Sequence, residues 1–190
     1  MDNYFLSNIF SQQAAKTSLL CVGLDPDYQS LPKIVKRNKN PIFAFNKAII
    51  EATRDIACCY KPQIAHYSAL GAEKELELTI ELIKGLDIPV LLDAKRGDVR
   101  STAEMYSREL FERYGADAVT VNPYLGMDSM EPYLSRSDKT IFILCRTSNP
   151  GSAEIQNLTL EHGEKLYERV AKLALSLIHI SEPTRLLSIA

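Results

Sequence analysis

Hydrophobic positions along this chain fall into two alternating kinds of run. Short unbroken apolar runs occur at residues 19–24 (Leu-Leu-Cys-Val-Gly-Leu), 58–61, 88–93, 118–121 and 140–145. Between them lie longer stretches in which apolar residues return every three or four positions, such as Phe45, Ala48, Ile49, Ala52 and Ile56, or Leu76, Ile80 and Ile83. The first kind predicts buried strands and the second predicts amphipathic helices over 41–58, 72–86, 99–114 and about 160–174, with Gly115 as the C-cap of the third. Pro62 ends the second strand and Asp25-Pro26-Asp27 breaks the first.

Buried strands alternating with helices of 10–17 residues predict a parallel sheet covered by helices. The polar residues gather just after the strands: Asp25, Lys61, Asp93 with Lys95, Asn122, and Arg146 to Asn149. Barrel and doubly wound α/β folds place their active sites there. No Gly-x-Gly-x-x-Gly follows the first strand and no Gly-Lys-Ser/Thr loop is present, so a dinucleotide-binding domain is the weaker choice.

Composition narrows the class without naming it. With 190 residues, 46% hydrophobic and 24% charged, the chain has the make-up of one globular domain, and no apolar run reaches membrane-spanning length. Lys and Arg total 22 against 24 Asp and Glu, a net charge of −2. Such a chain has no general attraction for nucleic acid or anionic lipid, so an anionic ligand must be met by local basic groups. The four cysteines (Cys21, Cys58, Cys59, Cys145) lack metal-pair spacing and read as buried, reduced thiols. His66, His162 and His179 form no spaced ligand set. The start, Met-Asp-Asn-Tyr-Phe, has no basic, apolar leader, so a cytoplasmic location is expected.

The segment richest in chemistry is Leu92-Asp93-Ala94-Lys95-Arg96-Gly97-Asp98. Residues two apart on a strand face the same way, so Asp93 and Lys95 are expected to share a face. Unpaired buried charge is costly, so acid, base and acid at the end of a buried strand either compensate one another or meet a charged ligand. Spacing alone also allows a plain ion pair at the sheet's mouth. Read singly, Asp25 is equally a turn carboxylate before Pro26, and Lys61 a lysine with its head in water.

The pattern Asp-x-Lys-x-x-Asp over Asp93, Lys95 and Asp98 resembles the signature of the orotidine 5′-monophosphate decarboxylases. The longer string Leu-Asp-Ala-Lys-Arg-Gly-Asp-Val is similar to their longer-chain bacterial branch. Residues 21–27 (Cys-Val-Gly-Leu-Asp-Pro-Asp), 60–63 (Tyr-Lys-Pro-Gln), 118–126 (Ala-Val-Thr-Val-Asn-Pro-Tyr-Leu-Gly) and 146–151 (Arg-Thr-Ser-Asn-Pro-Gly) agree with it, in family order. The resemblance implies a (β/α)8 barrel and loss of carbon dioxide from orotidine monophosphate to give uridine monophosphate, without metal or organic cofactor. It implies that Lys95 is the proton donor and Asp93 the carboxylate beside the departing group. Lys61 and Asp98 would complete an alternating Lys-Asp-Lys-Asp array. Asp25 would hold ribose hydroxyls and Ser148 the pyrimidine. Asp98 and Thr102 would reach into the neighbouring subunit of a homodimer. Arg96 and Arg100 are expected to turn away from Lys95, toward solvent or a subunit interface.

The resemblance runs to about residue 174, through five of eight strand-helix units. Residues 1–175 are therefore expected to be the N-terminal two-thirds of one barrel domain, and 176–190 a tail foreign to the family, an artefactual end. Within that tail, 176–180 also reads as a sixth strand and 181–183 as a helix start. The family's phosphate-gripping arginine and closing loop come from later strands, so this chain alone is expected to be inactive. Two alternatives stand beside the decarboxylase: an inactive truncated fragment, and a metal-dependent sugar-phosphate decarboxylase or aldolase of the same superfamily. The latter carry a carboxylate where Lys61 stands.

Overall fold

A computed structural model describes residues 4–181. The chain opens with α1 (Tyr4–Lys16) and continues through β1 (Leu20–Leu24), α2 (Pro41–Thr53), β2 (Ala57–Pro62), α3 (Ile64–Ser68) and α4 (Glu73–Lys84). Then follow β3 (Leu91–Arg96), α5 (Arg100–Arg108) with a π-helical turn at Glu109–Arg113, and β4 (Ala118–Val121). The last elements are α6 (Glu131–Leu134), β5 (Thr140–Ile143), α7 (Ser152–Gln156) and α8 (Leu166–Ser181).

All the strand pairs are parallel: β1 with β2, β3 with β4, and β4 with β5. Bridges between Tyr60 and Val90 and between Gln63 and Asp93 join β2 to β3. Spatial order therefore follows chain order, as in a barrel, with none of the reversal that marks a doubly wound sheet. The five strands with their flanking helices form an incomplete (β/α)8 barrel, open between β1 and β5.

Two apolar layers hold this arc. On its outer face Val90, Leu92, Val119 and Val121 pack with Ile50, Leu76, Ile80, Ile83 and Leu110, all fully buried or nearly so. On the inner face Cys59, Leu91 and Ala118 meet Phe5, with Leu6 and Ile9 packed alongside. Phe5 also meets Phe142 edge-to-face at 5.8 Å. Helix α1, which the hydrophobic pattern did not announce, thus covers the inner face with an aromatic side chain.

Several expectations need correction. Residues 176–180 are not a sixth strand: α8 runs from Leu166 to Ser181, and Leu177 is buried on the face that carries the half-buried Val170 and Ala174. A short apolar run does not distinguish strand from helix, and here the helical period of 166–175 continues through it. The helix start expected at 181–183 meets the end of α8 at Ser181, and the rest lies outside the described residues. The cysteines are not uniformly buried: Cys58 and Cys59 are, Cys145 is half-buried and Cys21 is exposed, because the inner face of edge strand β1 carries no cover at that point. Among the described residues, no helix is long and apolar enough to cross a membrane.

Candidate active site

Strands β2, β3 and β4 converge on one carboxylate. Asp93 is buried, at 7% exposure, and receives Lys95 Nζ on both oxygens, at 2.6 and 2.7 Å. Lys61 Nζ and Gln63 Nε2, from the end of β2 and the turn after it, each lie 3.4 Å from Oδ2. Thr120 Oγ1, on β4, donates to Oδ1 at 2.7 Å. Burial works against ionisation of Asp93. The hydrogen bonds from Lys95 and Thr120, with the charges of Lys95 and Lys61, outweigh it and hold the carboxyl below the usual aspartate value.

Asp93 and Lys95 do meet, but not by the regular alternation of a strand. Leu92 pairs with Val119 and Arg96 with Val121, so Asp93, Ala94 and Lys95 together face Thr120 alone. This is a β-bulge larger than the usual two-against-one kind, and within it Lys95 takes a left-handed backbone (φ +49°), which a side chain with a Cβ adopts at a cost. Gly97 follows because nothing larger fits: a Cβ there would stand 2.8 Å from the Asn122 carbonyl oxygen.

The structure brings together Lys61, Asp93 and Lys95. Asp98 lies just beyond β3, where its carboxylate accepts from the Val99 amide at 2.8 Å; among the described residues it makes no ion pair with Lys61 or Lys95. Asp25 is exposed at the end of β1, Thr102 is half-buried in the first turn of α5, and Ser148 is exposed in the loop after β5. That loop is knitted by Gln156, whose Oε1 accepts from the Thr147 amide at 2.8 Å, and by Arg146, which bonds Ser152 Oγ. Arg96 does turn away from Lys95, but into packing: it pairs with Glu109 at 3.3 Å and lies 4.6 Å over the Tyr106 ring. Arg100 is exposed and pairs with Glu131 at 2.8 Å. Among the described residues no group of three or more His, Cys, Asp or Glu side chains is placed to hold a metal ion.

Thr120 and Gln63 were missed as site residues. Thr120 reads as an ordinary β-branched strand residue and Gln63 as a turn polar residue; the available signal was that each lies in a stretch already singled out.

The sequence model of the Orotidine 5'-phosphate decarboxylase / HUMPS family matches residues 18–181. The chain is 54% identical over 172 residues to the orotidine 5'-phosphate decarboxylase of Dechloromonas aromatica (strain RCB), covering 90% of this chain and 63% of that protein. It is 52% identical over 171 residues to that of Cellvibrio japonicus (strain Ueda107), covering 88% and 62%. The chain thus spans less than two thirds of the length of these curated relatives. The structure of Leishmania donovani OMP decarboxylase matches with a TM-score of 0.80 at 35% identity, over 93% of this chain and 67% of that one. The Plasmodium berghei orotidine 5'-monophosphate decarboxylase, at 20% identity and a TM-score of 0.82, shares the fold. The match over most of the sequence and the shared barrel arc agree: the chain belongs to the orotidine 5'-phosphate decarboxylase / HUMPS family, and its described residues carry five strands of the barrel.

Proposed function

We propose that the whole protein decarboxylates orotidine 5'-monophosphate to uridine 5'-monophosphate, with Lys95 as the proton donor. The observation that carries this reading is the Asp93 carboxylate held between the Lys95 and Lys61 ammonium groups on the inner face of the barrel arc. Loss of carbon dioxide leaves the electron pair of the broken bond on carbon 6 of the pyrimidine. Fixed positive charge beside that carbon stabilises the pair, and a positioned proton quenches it. Lys95 Nζ would do both: its proton goes to carbon 6, carbon dioxide departs, and Lys95 is reprotonated from water. Asp93 faces the substrate carboxylate and pairs with the Lys95 ammonium group that gives the proton.

Asp98 brings the array to two ammonium and two carboxylate groups, a net charge of zero that a desolvated pocket tolerates. In this reading Asp98 and Thr102 serve the neighbouring subunit of a homodimer, Asp25 binds the ribose and Ser148 the pyrimidine. The protein works in the cytoplasm without metal or cofactor. The metal-dependent sugar-phosphate enzymes of the superfamily are disfavoured by Lys61, since an ammonium has no lone pair to offer a cation.

The test joins this chain to the C-terminal third of the Dechloromonas aromatica relative and follows loss of orotidine monophosphate by ultraviolet absorbance. Turnover is expected, and Lys95→Ala should remove at least a hundred- to ten-thousand-fold of it, on the order expected for a positioned acid. Near-normal turnover by a folded Lys95→Ala protein overturns the reading, and activity that needs an added divalent cation favours the other branch.

A further inference from the structure

The lysines and Asp93 supply the charges of the site, yet two of these groups sit on a backbone bulge that has to be held in shape. Three β3 residues opposite one β4 residue leave the Ala94 and Lys95 amides without ladder carbonyls. Both donate instead to Thr120 Oγ1, each at 2.9 Å. A hydroxyl has one proton and two acceptor lone pairs. With both lone pairs taken by amides, the Thr120 proton is directed at Asp93 Oδ1, 2.7 Å away. One side-chain atom therefore meets the backbone of Lys95 and the carboxylate of Asp93 together.

The other donors do not fix the carboxylate in the same way. Lys95 Nζ straddles both oxygens, while Lys61 Nζ from β2 stands farther off, at 3.4 Å from Oδ2, as does the neutral Gln63 amide. Thr120 alone among these singles out Oδ1 at short range, leaving Oδ2 toward β2.

We propose that Thr120 is a positioning residue of the site, its hydroxyl setting the rotation of the Asp93 carboxylate while securing the left-handed turn at Lys95. The kinetic part of this inference rests on the decarboxylase reading; the geometric part does not. Valine preserves the branched shape and strand preference of threonine without the hydroxyl, and serine preserves the hydroxyl without the methyl group.

The experiment makes Thr120→Val and Thr120→Ser in the 190-residue chain and in the chain joined to the C-terminal third of the Dechloromonas aromatica relative. In the first, carbon-13 NMR follows titration of the Asp93 carboxyl. Thr120→Val is expected to move the midpoint upward, toward the usual aspartate value, and Thr120→Ser to leave it near that of the parent. In the second, Thr120→Val should lower kcat by on the order of 10- to 100-fold with a smaller change in KM, and Thr120→Ser should restore it to within a few-fold. If the valine protein does not fold, a folded serine protein titrating like the parent supports the hydroxyl's role, and a serine protein that also fails overturns it. A folded valine protein with the parent's midpoint and kcat overturns it as well. The expected midpoint shifts, together with no turnover even by the unsubstituted joined chain, support the positioning of Asp93 and count against the decarboxylase reading.

Discussion

Replacing Asp93 with asparagine keeps the outline of the side chain and removes the one negative charge between two ammonium groups. At 7% exposure Asp93 takes Lys95 on both oxygens at 2.6 and 2.7 Å, Thr120 at 2.7 Å and Lys61 at 3.4 Å. A hydrogen bond to a charged group contributes about 1.5–3 kcal/mol, and stranding the partner of a buried ion pair costs about 3–5 kcal/mol. Two features lower that cost. The lysine side chains are 44% and 31% exposed, so water reclaims both ammonium groups, and the amide oxygen of asparagine still accepts from Thr120. A net loss of about 1–3 kcal/mol near neutral pH is expected. The sign with pH follows from the depressed Asp93 pKa, where burial is outweighed by Lys95, Thr120 and Lys61. A carboxyl held below its unfolded value stabilises the fold fully above that value, about 3.9, and the contribution is lost as pH falls through the folded pKa. The gap between parent and Asp93→Asn should therefore hold steady down to about pH 4 and shrink below it. Urea unfolding of both proteins over that range measures the gap. Equal stability at neutral pH, or a gap that persists unchanged well into acid, refutes the reasoning.

Gly97→Ala puts a Cβ 2.8 Å from the Asn122 carbonyl oxygen and 3.0 Å from the Asn122 Cβ, so the end of β4 has to move; urea unfolding should show a loss of about 1–3 kcal/mol, and no loss would mean that the strand ends yield freely. If Asp98 serves a neighbouring subunit, mixing inactive Lys95→Ala and Asp98→Ala proteins, each joined to the relative's C-terminal third, regenerates activity. Subunit exchange seen by native mass spectrometry without recovered turnover speaks against shared sites. A hydrogen bond with the Cys59 thiol lowers the Cys21 thiol to about 7, with the charge of Lys61 assisting. Iodoacetamide near neutral pH should therefore modify exposed Cys21 before buried Cys58 and Cys59, and peptide mapping that finds Cys59 modified first contradicts this.

The strand at 118–121 lies where the hydrophobic pattern puts it, and the first strand starts one residue later than expected, because a buried strand needs only a local apolar run flanked by turn residues. The pattern erred where neighbours in space intervene. The helix from Pro41 ends at Thr53, short of the expected 58, since Ile56 continues the period but stands exposed in the turn before β2. β3 runs from Leu91 to Arg96 and not over 88–93: Lys95 and Arg96, polar and past the expected end at Asp93, still belong to it. Helix α1 buries few apolar side chains of its own, and its place depends on an inner face that forms only after the strands pair.

Of the site, the sequence by itself determined the chemical groups: an acid and a base two positions apart at the end of a buried run, and a lysine after another. These are readable because unpaired charge in apolar surroundings is conspicuous wherever it occurs. Only the tertiary structure decided how they meet. The bulge at Asp93 to Lys95 exists because three residues of one strand register against one of the next, and register belongs to the pair of strands and to neither alone. The same holds for Thr120, whose hydroxyl is unremarkable in sequence. Its role comes from three atoms of β3 that lie within reach once β3 and β4 are paired.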